Sequence, residues 1–238
     1  MVFENEGSGN SKGDLKHKWR EQFVKFNLQL LIAFFGSLFG FILMSYMVQA
    51  EYLVAFDRVV IDRVQGLEAE GLTAVMKFFT YIGSLRFIVI LSIPIFLFLF
   101  YVLKHRLEIL VFLSVVYITP ILNRLLKLYF HRARPDFHRL IEIGGYSFPS
   151  GHAMNAFSFY SILAFLLWRH VPTRIGRTAV ILISSIMILG IGISRVYLGV
   201  HYPSDIIGGF LASGLWVAAV IWFFQRYKEK LEIPERAH

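Results

Sequence analysis

The sequence predicts an all-α, polytopic membrane protein: a bundle of six transmembrane helices with an interfacial helix between helices one and two. Three observations carry this expectation. The chain of 238 residues is 56% hydrophobic, holds 24 Phe and has only 17% charged residues, a balance that suits lipid as solvent. Its apolar residues gather in long charge-free windows, each near the length that crosses a hydrocarbon core. Its basic residues cluster in the connections that alternate helices would place on one side.

The opening MVFENEGSGNSKGDLKHKWREQF is polar and has no small-residue cleavage site behind a short apolar core. It reads as a flexible cytoplasmic lead-in, residues 1–22, to a retained helix and not as a removable signal. The first crossing runs from Phe26 to Ala50. The connection YLVAFDRVVIDRVQGLEAEGLTAVMKFFTYIGS mixes apolar and charged residues at helical spacing. It suits an interfacial helix followed by a helix leading into the membrane, with breaks at Gly66 and Gly71. Phe87 to Leu103 is the second crossing. Ile109 to Asn123 opens the third, which continues to about Phe130, and Ala153 to Trp168 is the core of the fourth. Thr178 to Ser194 and Ile206 to Gln225 form the fifth and sixth. Several cores fall slightly short of a full span, so their polar ends reach the interfaces. Pro94 and Pro120 mark kinks or local repacking. One membrane domain, 23–226, is followed by a cytoplasmic tail, 227–238.

Lys16, Lys18 and Arg20 precede the first crossing. Lys104 and Arg106 follow the second, Arg169, Arg174 and Arg177 join four to five, and Arg226, Lys228 and Lys230 follow the sixth. That side is cytoplasmic by the positive-inside rule, with both termini on it. The loops after crossings one, three and five then face outward. The formal charge of +8 is explained by anionic lipid at the cytoplasmic surface. No aromatic-interleaved basic patch points to nucleic acid. The absence of Cys excludes disulfides and thiol chemistry.

Three polar clusters meet the outer interface: KLYFHRARP (Lys127 to Pro135), PSGH (Pro149 to His152) and SRVYLGVHYPSD (Ser194 to Asp205). Taken singly, each has a structural explanation. Lys127 and Arg195 could anchor helix ends, Ser150 could cap a helix, and Pro203 suits a first helical turn. Together, and in this order, they resemble the signature of the type 2 phosphatidic acid phosphatase (PAP2) superfamily. The resemblance reads Lys127, six residues, Arg134-Pro135; then Pro149-Ser150-Gly151-His152; then Ser194-Arg195, five residues, His201, three residues and Asp205. No defining position departs from it.

The resemblance implies a PAP2-like bundle that hydrolyses phosphate esters. His201 is the implied nucleophile, attacking phosphorus as a neutral imidazole to give a phosphohistidine, with Asp205 orienting its other ring nitrogen. His152 is the implied proton donor to the leaving oxygen, and then activates water. Lys127, Arg134 and Arg195 bind phosphate electrostatically, and Ser150 and Gly151 complete a cradle at a helix N-terminus. His131 and Arg132 carry no main role in that pattern and are read as loop-shaping or headgroup contacts. Arg124 is read as lining or anchoring the third helix. Asn123 is as readily an interhelical hydrogen bond as a substrate contact. The histidines lack the ligand set that zinc or paired magnesium requires, so no metal and no cofactor are expected.

The implied partners are membrane phospholipids and a lipid phosphate or diphosphate substrate, in the inner or plasma membrane of a bacterium. Nothing in the sequence fixes an oligomeric state. Among bacterial members, the likeness is to phosphatidylglycerophosphatase B, with phosphatidylglycerol phosphate as substrate in a broad range. Undecaprenyl diphosphate hydrolysis and lipid-to-lipid phosphotransfer are the alternatives. A transporter or purely structural protein would explain the helices but leave the histidines and phosphate clamps as coincidence. The soluble haloperoxidases of the superfamily are disfavoured by the membrane spans.

Overall fold

The computed structural model describes residues 8–103, 106–136 and 138–235. Among them the regular structure is all helical, with eight α-helices: α1 (Ser8–Gln49), α2 (Val54–Gln65), α3 (Glu70–Ile82), α4 (Leu85–Leu97), α5 (Arg106–Phe130), α6 (Gly151–Trp168), α7 (Arg174–Tyr197) and α8 (Pro203–Glu235). A wider π-helical turn, Phe98–Leu103, continues α4 a few residues beyond Pro94, the position expected to distort it. Pro120 lies inside α5, which runs through to Phe130. The backbone of residues 8–22, read as a flexible lead-in, continues α1 as helix. The first seven residues lie outside the described residues, as do the last three of the tail.

Among the described residues, five stretches are long and apolar enough to cross a membrane: 24–49, 85–102, 106–130, 174–197 and 203–230. The fourth expected crossing corresponds to α6, 18 residues long with His152 and Asn155 in its first turns, and it is not among these five. Between α1 and α4 the expected pair of helices is present, but its break differs. Gly66 ends α2, whereas Gly71 is the second residue of α3. The separating turn is 66–69.

α6 lies at the centre, against α5, α7 and α8, while α1 packs along α8. The core joins Phe112, Val115 and Val116 of α5 to Ala156, Phe159 and Ile162 of α6, with Ile191 of α7 and Val217, Ile221 and Phe224 of α8. In lipid this packing cannot draw on expulsion of water, so close approach and interhelical hydrogen bonds matter more. Thr119 Oγ1 donates to Ser158 Oγ at 3.0 Å between α5 and α6, and Ser213 Oγ donates to the Met154 carbonyl at 3.0 Å between α8 and α6. Gly40 meets the Leu211 side chain and Gly214 meets Ser37, which lets α1 and α8 approach closely. The opposite face of α1 exposes Ile32, Phe35, Phe39 and Ile42, a surface suited to acyl chains.

At the end of the bundle that holds the α7–α8 turn, α2 and α3 cover it and do not lie apart from it. Ile61 of α2 packs with Ala153, Val196 and Ile206. Gln65 Nε2 donates to the His138 and Tyr197 carbonyls, and the Tyr197 hydroxyl pairs with Thr73 Oγ1 at 2.8 Å. Phe79 of α3 packs over Gly190 of α7, where a Cβ would stand 2.5 to 2.9 Å from three ring atoms. The Gly190→Ala variant must therefore push α3 off α7. A loss of about 1–3 kcal/mol is expected, the usual cost of overpacking. It would register as a lower thermal unfolding midpoint in detergent; an unchanged midpoint would show that α3 is not seated through this contact.

Candidate active site

The stretch HYPSD is built by the start of α8. Pro203 is the first helical residue, needing no backbone donor there, and Asp205 is the third. The Asp205 Oδ2 reaches back to accept the Tyr202 N–H at 3.0 Å, which is half of a capping box. That local bond places the same oxygen 3.1 Å from His201 Nδ1. Ser147 Oγ donates to it as well and lies 3.2 Å from His201 Nδ1. The other ring nitrogen, Nε2, lies 3.0 Å from Arg134 Nη1. Arginine can only donate, so Nε2 accepts and the ring proton sits on Nδ1, facing Asp205. The Nε2 lone pair is thus directed away from the carboxylate, toward the cationic side of the site.

Arg134 is fixed from both sides. Its Nε donates to the Gly144 and Gly145 carbonyls at 3.2 and 3.0 Å, and its Nη1 donates to the Val200 carbonyl at 2.8 Å. Lys127 leaves the last turn of α5 and donates to the Tyr146 carbonyl and, at 3.0 Å, to that of Ser147. Its ammonium therefore braces the chain leading into PSGH while carrying charge toward the site. Asn123 has the interhelical role: its Nδ2 donates to the Pro149 carbonyl at 3.0 Å and contacts Met154 Sδ at 3.1 Å. Gly151 starts α6, and a Cβ there would stand 2.8 Å from Asn123 Oδ1. Ser150 caps α6 by accepting from Ala153 N–H, and its own N–H donates to the Asp205 carbonyl at 3.0 Å. The α6 N-terminus is so tied to the α8 N-terminus, and His152 projects from its first turn. His152 lies within electrostatic reach of Arg195, His201, Arg134 and Lys127.

Arg195 is the most unusual group. It comes from the last turn of α7, is 1% exposed, and uses Nη1 to donate to Thr80 Oγ1 of α3. Its Nε and Nη2 are buried with no hydrogen-bond partner among the described residues. A buried guanidinium with two unengaged donors is costly unless an anion accepts from them, and a tetrahedral oxyanion fits such a fork. All eight residues singled out in the sequence thus gather at one end of the bundle.

The sequence reading passed over other participants. Ser147 shares Asp205 with His201. Thr80 holds Arg195. Arg132, set aside above as a loop residue, donates through Nη1 to Asp205 Oδ1 at 2.7 Å and through Nη2 to Asp57 Oδ2 at 2.9 Å. None is a defining position of a motif, Arg132 being one of the six residues between Lys127 and Arg134, and the bonds of Ser147 and Arg132 to Asp205 and of Asp57 to Ser204 span 58 to 147 residues of chain. Spacing alone carries no signal at such range. Among the described residues, no group of three or more His, Asp or Glu is arranged to hold a metal.

Burial drives the His201 pKa down to about 3 against the opposing hydrogen bond and charge of Asp205, with Arg195 and Arg134 adding to the fall. The imidazole is therefore neutral at ordinary pH, with its Nε2 lone pair intact.

The family model described as PAP2 superfamily matches residues 108–229, just over half of the chain. A phosphatidylglycerophosphatase B from Bacillus subtilis is 36% identical over 158 residues, which cover 66% of this chain and 77% of that protein. A lipid A 1-phosphatase from Rhizobium johnstonii is 37% identical, over 44% of this chain and 42% of the other. The crystal structure of a transmembrane PAP2-type phosphatidylglycerolphosphate phosphatase from Bacillus subtilis superposes with a TM-score of 0.75 at 30% identity. It covers 84% of this chain and 97% of that one.

The low His201 pKa has a consequence for stability. Between pH 6.5 and about 3 the unfolded chain takes up a proton at this residue and the folded protein does not. Stability therefore falls as pH drops from 6.5 toward 3, by up to about 1.4 kcal/mol per pH unit from this one group. Unfolding midpoints measured in detergent from pH 7 to 4.5 should decline, and His201→Gln should flatten the decline. An identical slope in the variant would exclude His201 as its source.

Proposed function

The chain belongs to the PAP2 superfamily of membrane lipid phosphate phosphatases, and from that premise we propose that it hydrolyses a lipid phosphate monoester through a phosphohistidine. Phosphatidylglycerol phosphate is the favoured substrate within a broad range, in keeping with the similarity to the Bacillus subtilis enzyme over most of that protein's length. The observation that carries the chemistry is the pairing of a neutral His201, its Nδ1 proton held by Asp205, with a buried Arg195 that has two donors to spare.

The substrate's phosphate accepts from Arg195 and from the Arg134 guanidinium, which draws that donor off Nε2 of His201. Nε2 then attacks phosphorus. The N–P bond forms as the bond to the lipid oxygen breaks, and His152 gives that oxygen its proton. Negative charge on the phosphoryl oxygens is met by Arg195, Arg134 and Lys127, and by the α6 N-terminus at Ser150 and Gly151. His152, now neutral, takes a proton from water, which attacks phosphorus. The N–P bond breaks, inorganic phosphate leaves, and His201 returns to its starting state. No step calls for a metal.

The basic connections place both termini in the cytoplasm and this end of the bundle at the outer leaflet, with the lipid tail in the bilayer and the headgroup at the interface.

A phosphate-release assay on phosphatidylglycerol phosphate, phosphatidate and undecaprenyl diphosphate in matched detergent micelles tests the reading. Activity should survive excess chelator. His201→Ala should abolish phosphoenzyme and turnover, and His152→Ala should lower kcat by about 10²–10⁴-fold. Retained turnover in His201→Ala would exclude it as nucleophile. Loss of activity in chelator, restored by one metal, would overturn the metal-free chemistry. Transfer to an added lipid without phosphate release would identify a phosphotransferase.

A further inference from the structure

We propose that Asp57 and Arg132 are positioning residues for the His201–Asp205 pair, so that α2 is a working part of the site and not merely its cover. The inference rests on the nucleophilic role of His201 given above.

Asp57 lies on α2 and is 1% exposed. Its carboxylate caps α8 from outside that helix: Oδ1 accepts the Ser204 N–H at 2.9 Å, and Oδ2 accepts the Ser204 hydroxyl at 2.6 Å. Ser204 is the second residue of α8, so this N–H has no intrahelical acceptor, and a negative charge there also faces the positive end of the helix dipole. Asp57 thus fixes the turn that carries both His201 and Asp205.

Arg132 completes the arrangement. One fork of its guanidinium takes Asp57 Oδ2 at 2.9 Å and the other takes Asp205 Oδ1 and Ser204 Oγ, each at 2.7 Å. Its plane lies over the Tyr202 ring, 4.1 Å from the centroid. A carboxylate is flat, so holding Oδ1 sets the rotation of the whole group. With Oδ1 on Arg132, Oδ2 can only face His201 Nδ1, the Tyr202 N–H and Ser147. A lysine could neutralise the same charge, but as a single mobile centre it could not hold two carboxylates in a fixed plane. Among the described residues, Arg132 is the only arginine or lysine in a salt bridge with Asp205.

The test uses Arg132→Lys, Asp57→Asn and the charge-neutral pair Asp57→Asn/Arg132→Gln, with His201→Ala beside them. Kinetics on phosphatidylglycerol phosphate are normalised to folded protein from size exclusion and thermal unfolding. Positioning predicts a kcat lower by about 10- to 100-fold in Arg132→Lys with KM within about threefold, because the loss is in alignment and not in substrate binding. The paired variant also strips the buried Asp205 of its guanidinium, so both its unfolding midpoint and its kcat per folded molecule should fall below those of Asp57→Asn. A purely structural salt bridge predicts the lower midpoint with kcat per folded molecule unchanged. Wild-type kcat per folded molecule in Arg132→Lys, or in the paired variant, overturns the proposal. Full turnover in His201→Ala would instead remove the nucleophile reading beneath it, and the two failures are therefore told apart.

Discussion

A single buried carboxylate organises one end of this bundle. Asp205 is fully buried, and an ionised group there is tolerable only when its lone pairs are filled by well-placed donors. Those donors come from the backbone of Tyr202, the ring of His201, the hydroxyl of Ser147 and the guanidinium of Arg132. They belong to the α7–α8 turn and to both parts of the α5–α6 loop. Satisfying one charge therefore brings separate segments to one point, and the helices that carry them must meet there too.

The opposite side of His201 has the inverse problem. Lys127, Arg134 and Arg195 converge with little negative charge among them, and two donors of Arg195 go without an acceptor. Arg134 and Lys127 are steadied by carbonyls, which orient a cation without cancelling it. Such a place is poised for an anion, and the imidazole lies on the boundary between the two halves. The carboxylate half sets the tautomer, and the cationic half leaves donors facing the other ring nitrogen. The whole arrangement sits at helix ends, above the apolar bundle.

The membrane helices were legible because their signal is local. A charge-free window predicts its own burial in lipid, and five such windows became helices of the expected kind within a few residues. Gly71 misled because glycine marks a break only where the backbone needs it; here it sits in the first turn of α3, where it has neighbouring helical backbone on its C-terminal side. The fourth expected crossing, α6, is not among the five, and its first turns carry the polar His152 and Asn155. Asn123 could be read as an interhelical contact from its chemistry alone, but its partner, the Pro149 carbonyl, could not.

For the site, the sequence by itself determined the chemical cast. Two histidines, an aspartate four residues beyond one of them, three cations and a serine–glycine helix start stand in motifs whose internal spacing is short, and short spacing translates directly into geometry. The pairing of Asp205 with His201 follows from one turn at the start of α8. Only the tertiary structure decided which side chains would support that cast. Arg132 looked like a loop residue until Asp57, from a helix 75 positions earlier, was placed against it. Thr80 likewise gained its role only when α3 packed on α7. Hydrogen bonds of that kind depend on which helices touch, and helix contacts arise from the summed packing of many apolar side chains, with no trace in the spacing of the polar ones.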